Sequence, residues 1–195
     1  WIEVVTPKVF VLTEPKTELK SGDELSAGAT IQTDESGLAV IHFPDGSVAR
    51  IDSDTTLTIE QSDFDRTDKT LVVKLTLALG RVWSKVVGLT TPQSSWQVKT
   101  SNAVATVRGT AFGTERLAAG TRILSAEDQV DIQALDPISG QPILSASTTV
   151  AEGRFILISD KDIEALKAGT KKLEVRAVTA EMLKEDWIAD SLEAD

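Results

Sequence analysis

Short β-branched and aliphatic runs recur along this chain, and turn residues interrupt them at close intervals. Candidate strands are Ile2–Val5, Val9–Leu12, Leu38–Phe43, Val48–Ile51, Thr56–Ile59, Leu71–Leu77, Val82–Val87, Trp96–Lys99 and Val104–Val107. Arg122–Leu124, Val130–Leu135, Ile143–Thr149 and Phe155–Ile158 continue the series. Ser21-Gly22-Asp23, Pro44-Asp45-Gly46, Ser139-Gly140 and Glu152-Gly153 mark turns between them. Such spacing leaves no room for β-α-β units and predicts an all-β fold, an elongated sandwich or solenoid of mostly short antiparallel strands. Asp45-Gly46 is the clearest hairpin signal, because Gly adopts the positive φ of a tight turn without a steric cost.

The pattern changes after Ser159. "SDKDIEALKAG" predicts a short helix, capped by Ser159 or Asp160 and stopped at Gly169. "KLEVRAV" suits a last strand. "TAEMLKEDWIADSLEAD" predicts a second helix, with Leu183, Trp187, Ile188 and Leu192 as its apolar stripe. This stripe is expected to dock on the β core; the alternative is contact with a partner chain. The expected organisation is a β domain at 1–158 and a helical C-terminal appendage at 159–195.

Composition narrows the function. The chain has no cysteine, which excludes disulfides, zinc–thiolate sites, iron–sulfur clusters and thiol catalysis. A net charge of −10 with scattered Lys and Arg argues against nucleic acid and against anionic lipid. No apolar run is long enough to span a bilayer. Met182 is the only methionine, so a chain starting at Trp1 is expected to be a processed or truncated piece.

Chemistry-bearing motifs are few. His42, the only histidine, sits within a strand and has no G-x-S-x-G elbow to serve. Asp63, Asp65 and Asp68 share one loop at a spacing suited to a hard cation, but the glycine and terminal Glu of an EF-hand are missing. A solvated turn is the simpler reading. Trp83 and Trp96 are candidate sugar-stacking residues, with core packing as the alternative. In "SNAVATVRGTAFGTER" the glycines Gly109 and Gly113 lack the following Lys of a phosphate loop, and no helix opens there. This stretch predicts two strands meeting at a corner, with Gly109 permitting the turn. Val104, Val107 and Phe112 should face the core, and Arg108, a candidate binding residue, should be held by a carboxylate or by carbonyls.

Read in order, the motifs resemble the FecR domain family. Gly22, Asp23, Leu25, Gly28, Ile31 and Thr33 match its first step, and Asp45, Gly46 and Ser47 its hairpin. Gly80, Val82 and Trp83 match its "G-x-V-W", and Val98, Thr100, Val107, Arg108, Gly109, Thr110 and Phe112 its closing motif. The resemblance covers about residues 8–116. It departs at Ser101, where members often have Pro, and at Glu127-Asp128, where they often have Gly. It implies a non-enzymatic, extracytoplasmic domain without a cofactor, in the periplasm or at the cell surface. Any membrane anchor would come from a segment upstream of Trp1. The implied partner is a protein or a cell-envelope component. Two further readings are a carbohydrate-binding surface domain and the periplasmic sensor part of an anti-sigma regulator.

Overall fold

Alternating burial along the strands builds two sheets that share one strand. The computed structural model describes residues 1–88 and 91–194. The strands are β1 (Ile2–Thr6), β2 (Val9–Val11), β3 (Thr17–Glu18), β4 (Thr30–Thr33), β5 (Leu38–His42), β6 (Val48–Ile51), β7 (Thr56–Phe64) and β8 (Leu71–Val86). They continue as β9 (Ser95–Lys99), β10 (Ala103–Val107), β11 (Thr110–Leu117), β12 (Gly120–Ser125), β13 (Gln129–Leu135), β14 (Pro142–Ala151) and β15 (Arg154–Ser159). Helix α1 (Ile163–Lys167), strand β16 (Val175–Ala177) and helix α2 (Asp186–Ala194) complete the order. The fold is all-β, with small C-terminal helices.

Sheet A runs β1-β5-β6-β8-β11-β12-β15-β16, and sheet B runs β3-β2-β4-β7-β8-β9-β10-β13-β14. Pairing is antiparallel except between β8 and β9. The first half of β8 pairs with β7 and β9, and the second half with β6 and β11. The sequence suggests two strands here, Leu71–Leu77 and Val82–Val87. They form one, which changes sheet at Gly80, where φ is +90°. A Cβ on Gly80 would lie 2.7 Å from the Asp54 carbonyl oxygen. Glycine is therefore required both by conformation and by close approach.

The inward faces of the two sheets form one core. Ile31, Leu57, Leu75, Trp96 and Val98 come from sheet B; Ile2, Ile41, Ile51, Phe112, Ile123 and Ile156 come from sheet A. Ile163 and Leu166 of α1 join the same core. A second apolar cluster lies on the outer face of sheet A. There Trp83, Ala111 and Leu124 are covered by Met182, Trp187 and Ile188.

This second cluster corrects the expected helix stripe. Leu183 and Leu192 are 48% and 41% exposed, while Met182 is buried in their place. Within α2 the buried face runs through Trp187, Ile188 and Ser191, which leaves Leu192 at its edge; for Leu183 the reason is a break in helical phase. A 3-10 turn at Met182–Lys184 ends at Glu185, whose ψ of 123° is extended, and α2 starts anew at Asp186. Leu183 thus lies in a separate turn from Trp187.

Candidate functional site

Strand alternation decides where each candidate residue lands. In β10 the inward positions are Ala103, Ala105 and Val107, so Val104 is displaced from the core face and stays partly exposed. Val107 and Phe112 are buried, as the alternation around the corner requires. Gly109 has φ +145°. Thr110 is buried, and its hydroxyl donates to the Glu127 carbonyl. Arg108 remains exposed; its guanidinium donates to the carbonyls of Thr91 (2.6 Å) and Pro92 (3.2 Å). Asp128, at a position where Gly was expected, has φ +46°. Asp tolerates that conformation better than most residues.

The hairpin residues serve their own turn. Gly46 has φ +93°, and Asp45 accepts from the Ser47 N–H at 2.9 Å and from its hydroxyl at 2.7 Å. Gly22, with φ +95°, turns the chain and donates to the Ile2 carbonyl. In the acidic loop, Asp65 and Asp68 accept from the N–H groups of Thr67 and Thr70. The Thr70 hydrogen bonds hold the Asp68 carboxyl below the usual range. Among the described residues no group of three or more His, Cys, Asp or Glu is placed to hold a metal ion.

Neither indole proposed for sugar stacking offers a face to solvent. Trp96 lies in the inner core, edge-on to Phe43. Trp83 lies on the opposite face of the molecule's sheet layer, edge-on to Trp187 of α2. Both are at most 1% exposed. Their apolar area is used in packing on both sides of sheet A.

Docking of α2 depends on three cross-strand neighbours on the outer face of sheet A. Arg81 of β8 stands opposite Glu115 of β11, which stands opposite Arg122 of β12. Arg81 Nε is 2.7 Å from Glu115 Oε1, and Arg122 Nη2 is 2.7 Å from Glu115 Oε2. Asp52 extends the chain at one end, 3.0 Å from Arg81. Glu185 extends it at the other, accepting from both terminal nitrogens of Arg122 and from the Trp187 indole N–H at 3.0 Å. Burial alone would lower the Arg122 pKa, but Glu185 and Glu115 hold it above the ordinary value. The Arg122 hydrogen bond in turn lowers the Glu185 carboxyl. Next to this network Gly113 leaves a slot: a Cβ there would lie 2.7 Å from the Trp187 ring.

α2 covers only part of the outer face. Toward β1, a groove of about 390 Å³ remains open. Val5, Leu38, Val40 and Val48 supply apolar lining from the strands, with Trp83 and Trp187 at its inner end. Val5 is an exposed residue of β1, and Leu38, Val40 and Val48 are the outward positions of β5 and β6, whose alternate positions Ala39, Ile41, Ala49 and Ile51 are buried in the core. His42 also lies in the groove, stacked on Trp1 at 3.9 Å and 3.1 Å from Glu3. Its imidazole is thus engaged by Trp1 on one face and by Glu3 at Nε2. An exposed apolar groove of this size suits a macromolecular contact or a small apolar ligand.

No sequence motif marks Arg81, Gly113, Glu115, Arg122 and Glu185 as a site. The signal exists only in the pairing register, which sets Arg, Glu and Arg side by side from three strands.

The model of the family described as FecR protein matches residues 29–131. Two crystal structures from Parabacteroides distasonis, both provisionally assigned as anti-sigma factors, share the fold. One has a TM-score of 0.59 at 11% identity, covering 81% of this chain and 63% of its own. The other has a TM-score of 0.55 at 12% identity, covering 78% and 61%. This chain therefore spans less than two thirds of either structure. No curated protein matches it. With more than half of its length matched by the family model, the chain belongs to the FecR protein family.

Proposed function

We propose that this chain is a non-catalytic protein-binding domain that acts outside the cytoplasmic membrane as the sensor part of an anti-sigma regulator. The observation that carries this reading is the open apolar groove on sheet A in a FecR-family fold. Its floor is aliphatic, and His42 at its border is tied to Glu3. Fold likeness to structures assigned as anti-sigma factors supports the same reading.

Two experiments test it. The chain has no cysteine, so Ser139→Cys at an exposed turn introduces a single thiol. A membrane-impermeant maleimide should label it in intact cells, and protection until lysis would place the domain in the cytoplasm instead. In the chromosomal gene, Leu38→Glu should change the transcript levels of a small, defined gene set. An unchanged transcriptome beside a correctly folded variant would remove the signalling role.

A further inference from the structure

We propose that the groove receives one amphipathic α-helix of a partner protein, aliphatic on its inner face and lysine- or arginine-rich on the flank toward α2. This rests on the protein-binding reading above and names the partner's chemistry.

Geometry selects a helix over a strand. Adding a strand needs a free edge, and β1 is the edge nearest the groove. That edge is already occupied: the Ile2 N–H donates to the Asp23 carbonyl, and the Ile2 carbonyl accepts from the Gly22 N–H. The Val4 N–H donates to the Ser21 hydroxyl at 2.9 Å. A helix satisfies its own backbone and needs only side-chain contact. The uncovered strands β1, β5 and β6, at about 4.8 Å spacing, offer a floor roughly 10–15 Å wide. That matches the diameter of about 10–12 Å of one helix with its side chains. α2 already lies on the adjoining part of this face. Its flank along the groove carries Asp190, Ser191 and Ala194, of which the last two are small enough to let a second helix approach.

Charge selects the flank. Glu3, Asp52 and Asp190 border the groove, and Glu35 and Asp186 line the adjoining recess. Among the described residues Glu35, Asp186 and Asp190 form no ion pair. The cations nearby are engaged: Arg81 lies between Asp52 and Glu115, and Arg50 donates to the Ala194 carbonyl at 3.2 Å. A net charge of −10 draws a cationic partner toward this rim and repels an anionic one.

The test uses the full chain and three synthetic peptides of about 14 residues, roughly four helical turns. One is a Leu/Lys amphipathic helix, one its Leu/Glu counterpart, and one a scrambled Leu/Lys peptide with no apolar face. Backbone amide shifts are followed during titration. The expected result is binding of the first alone, with shifts confined to β1, β5, β6 and α2. Affinity should fall about tenfold or more with Leu38→Glu. It should fall likewise with the paired exposed changes Glu35→Lys and Asp190→Lys, which should admit the Leu/Glu helix. Equal binding of the scrambled peptide, shifts elsewhere, or no binding at all would overturn the proposal. If no peptide binds but Leu38→Glu still alters transcription, the helix falls and the protein-binding reading stands. If the helix binds as expected and transcription is unmoved, the surface stands and the signalling role falls.

Discussion

At Gly113 the absent side chain is what admits Trp187. A Cβ would lie 2.7 Å from one indole and 3.1 Å from the ring of Trp83. Gly113→Ala should therefore push Trp187 outward and cost about 1–3 kcal/mol, the usual range for overpacking. In a chain of this length that lowers Tm by roughly 2–12 °C. Repeating the change in a Trp187→Leu background should remove most of the effect, because the clash needs the indole. Equal losses in both backgrounds would place the strain elsewhere. The role of Gly113 was hidden in the sequence, since its partner arrives from the far end of the chain. Asp45-Gly46 was legible, because every contact that defines the turn lies within a few residues. Trp83 and Trp96 show the same limit from another side. Alternation says that each has one face inward, but only the docked helix reveals that both faces of sheet A are covered at Trp83.

Among the elements, β8 and α2 depart most from the sequence pattern. The run Ala78-Leu79-Gly80 resembles a strand break, but Gly80 lets one strand continue while changing sheets. Periodicity likewise extends one helix back through Leu183, while the extended Glu185 resets the phase. Glu185 compensates by reaching Arg122, and this makes the docking of α2 sensitive to acid. Its folded pKa lies below the ordinary value of 4.5, lowered first by the Arg122 hydrogen bond. A depressed carboxyl stabilises the docked form above 4.5, and the contribution is lost as pH falls toward the folded value. Proteolysis within Thr179–Asp195, or Trp187 emission, should report loosening of α2 below that pH, before global unfolding. Glu185→Gln should loosen α2 at neutral pH and flatten this acid step. A step that persists unchanged in the variant would assign it to another carboxylate.

For the whole molecule, one core joins elements that the sequence separates into a β part and a tail. Short strands, frequent turns and the ordered motifs made the all-β fold legible. They did not show that α1 belongs to the inner core through Ile163 and Leu166, whereas α2 only roofs the outer face. The two ends of the tail should therefore behave differently on truncation. A chain ending at Val178 loses Met182, Trp187 and Ile188 from the outer cluster but keeps the inner core intact. It should fold, with Tm lowered by roughly 5–10 °C after the entropy of ordering the tail is set against the lost burial. Its fluorescence should shift to longer wavelength as Trp83 becomes wet. A chain ending at Ile158 also removes Ile163 and Leu166 from the inner core and strips β16 from the edge of sheet A. It should lose the sharp cooperative transition and populate an expanded state. If it instead melted as sharply as the longer truncation, α1 would be a dispensable attachment, and the β region would be a self-sufficient domain.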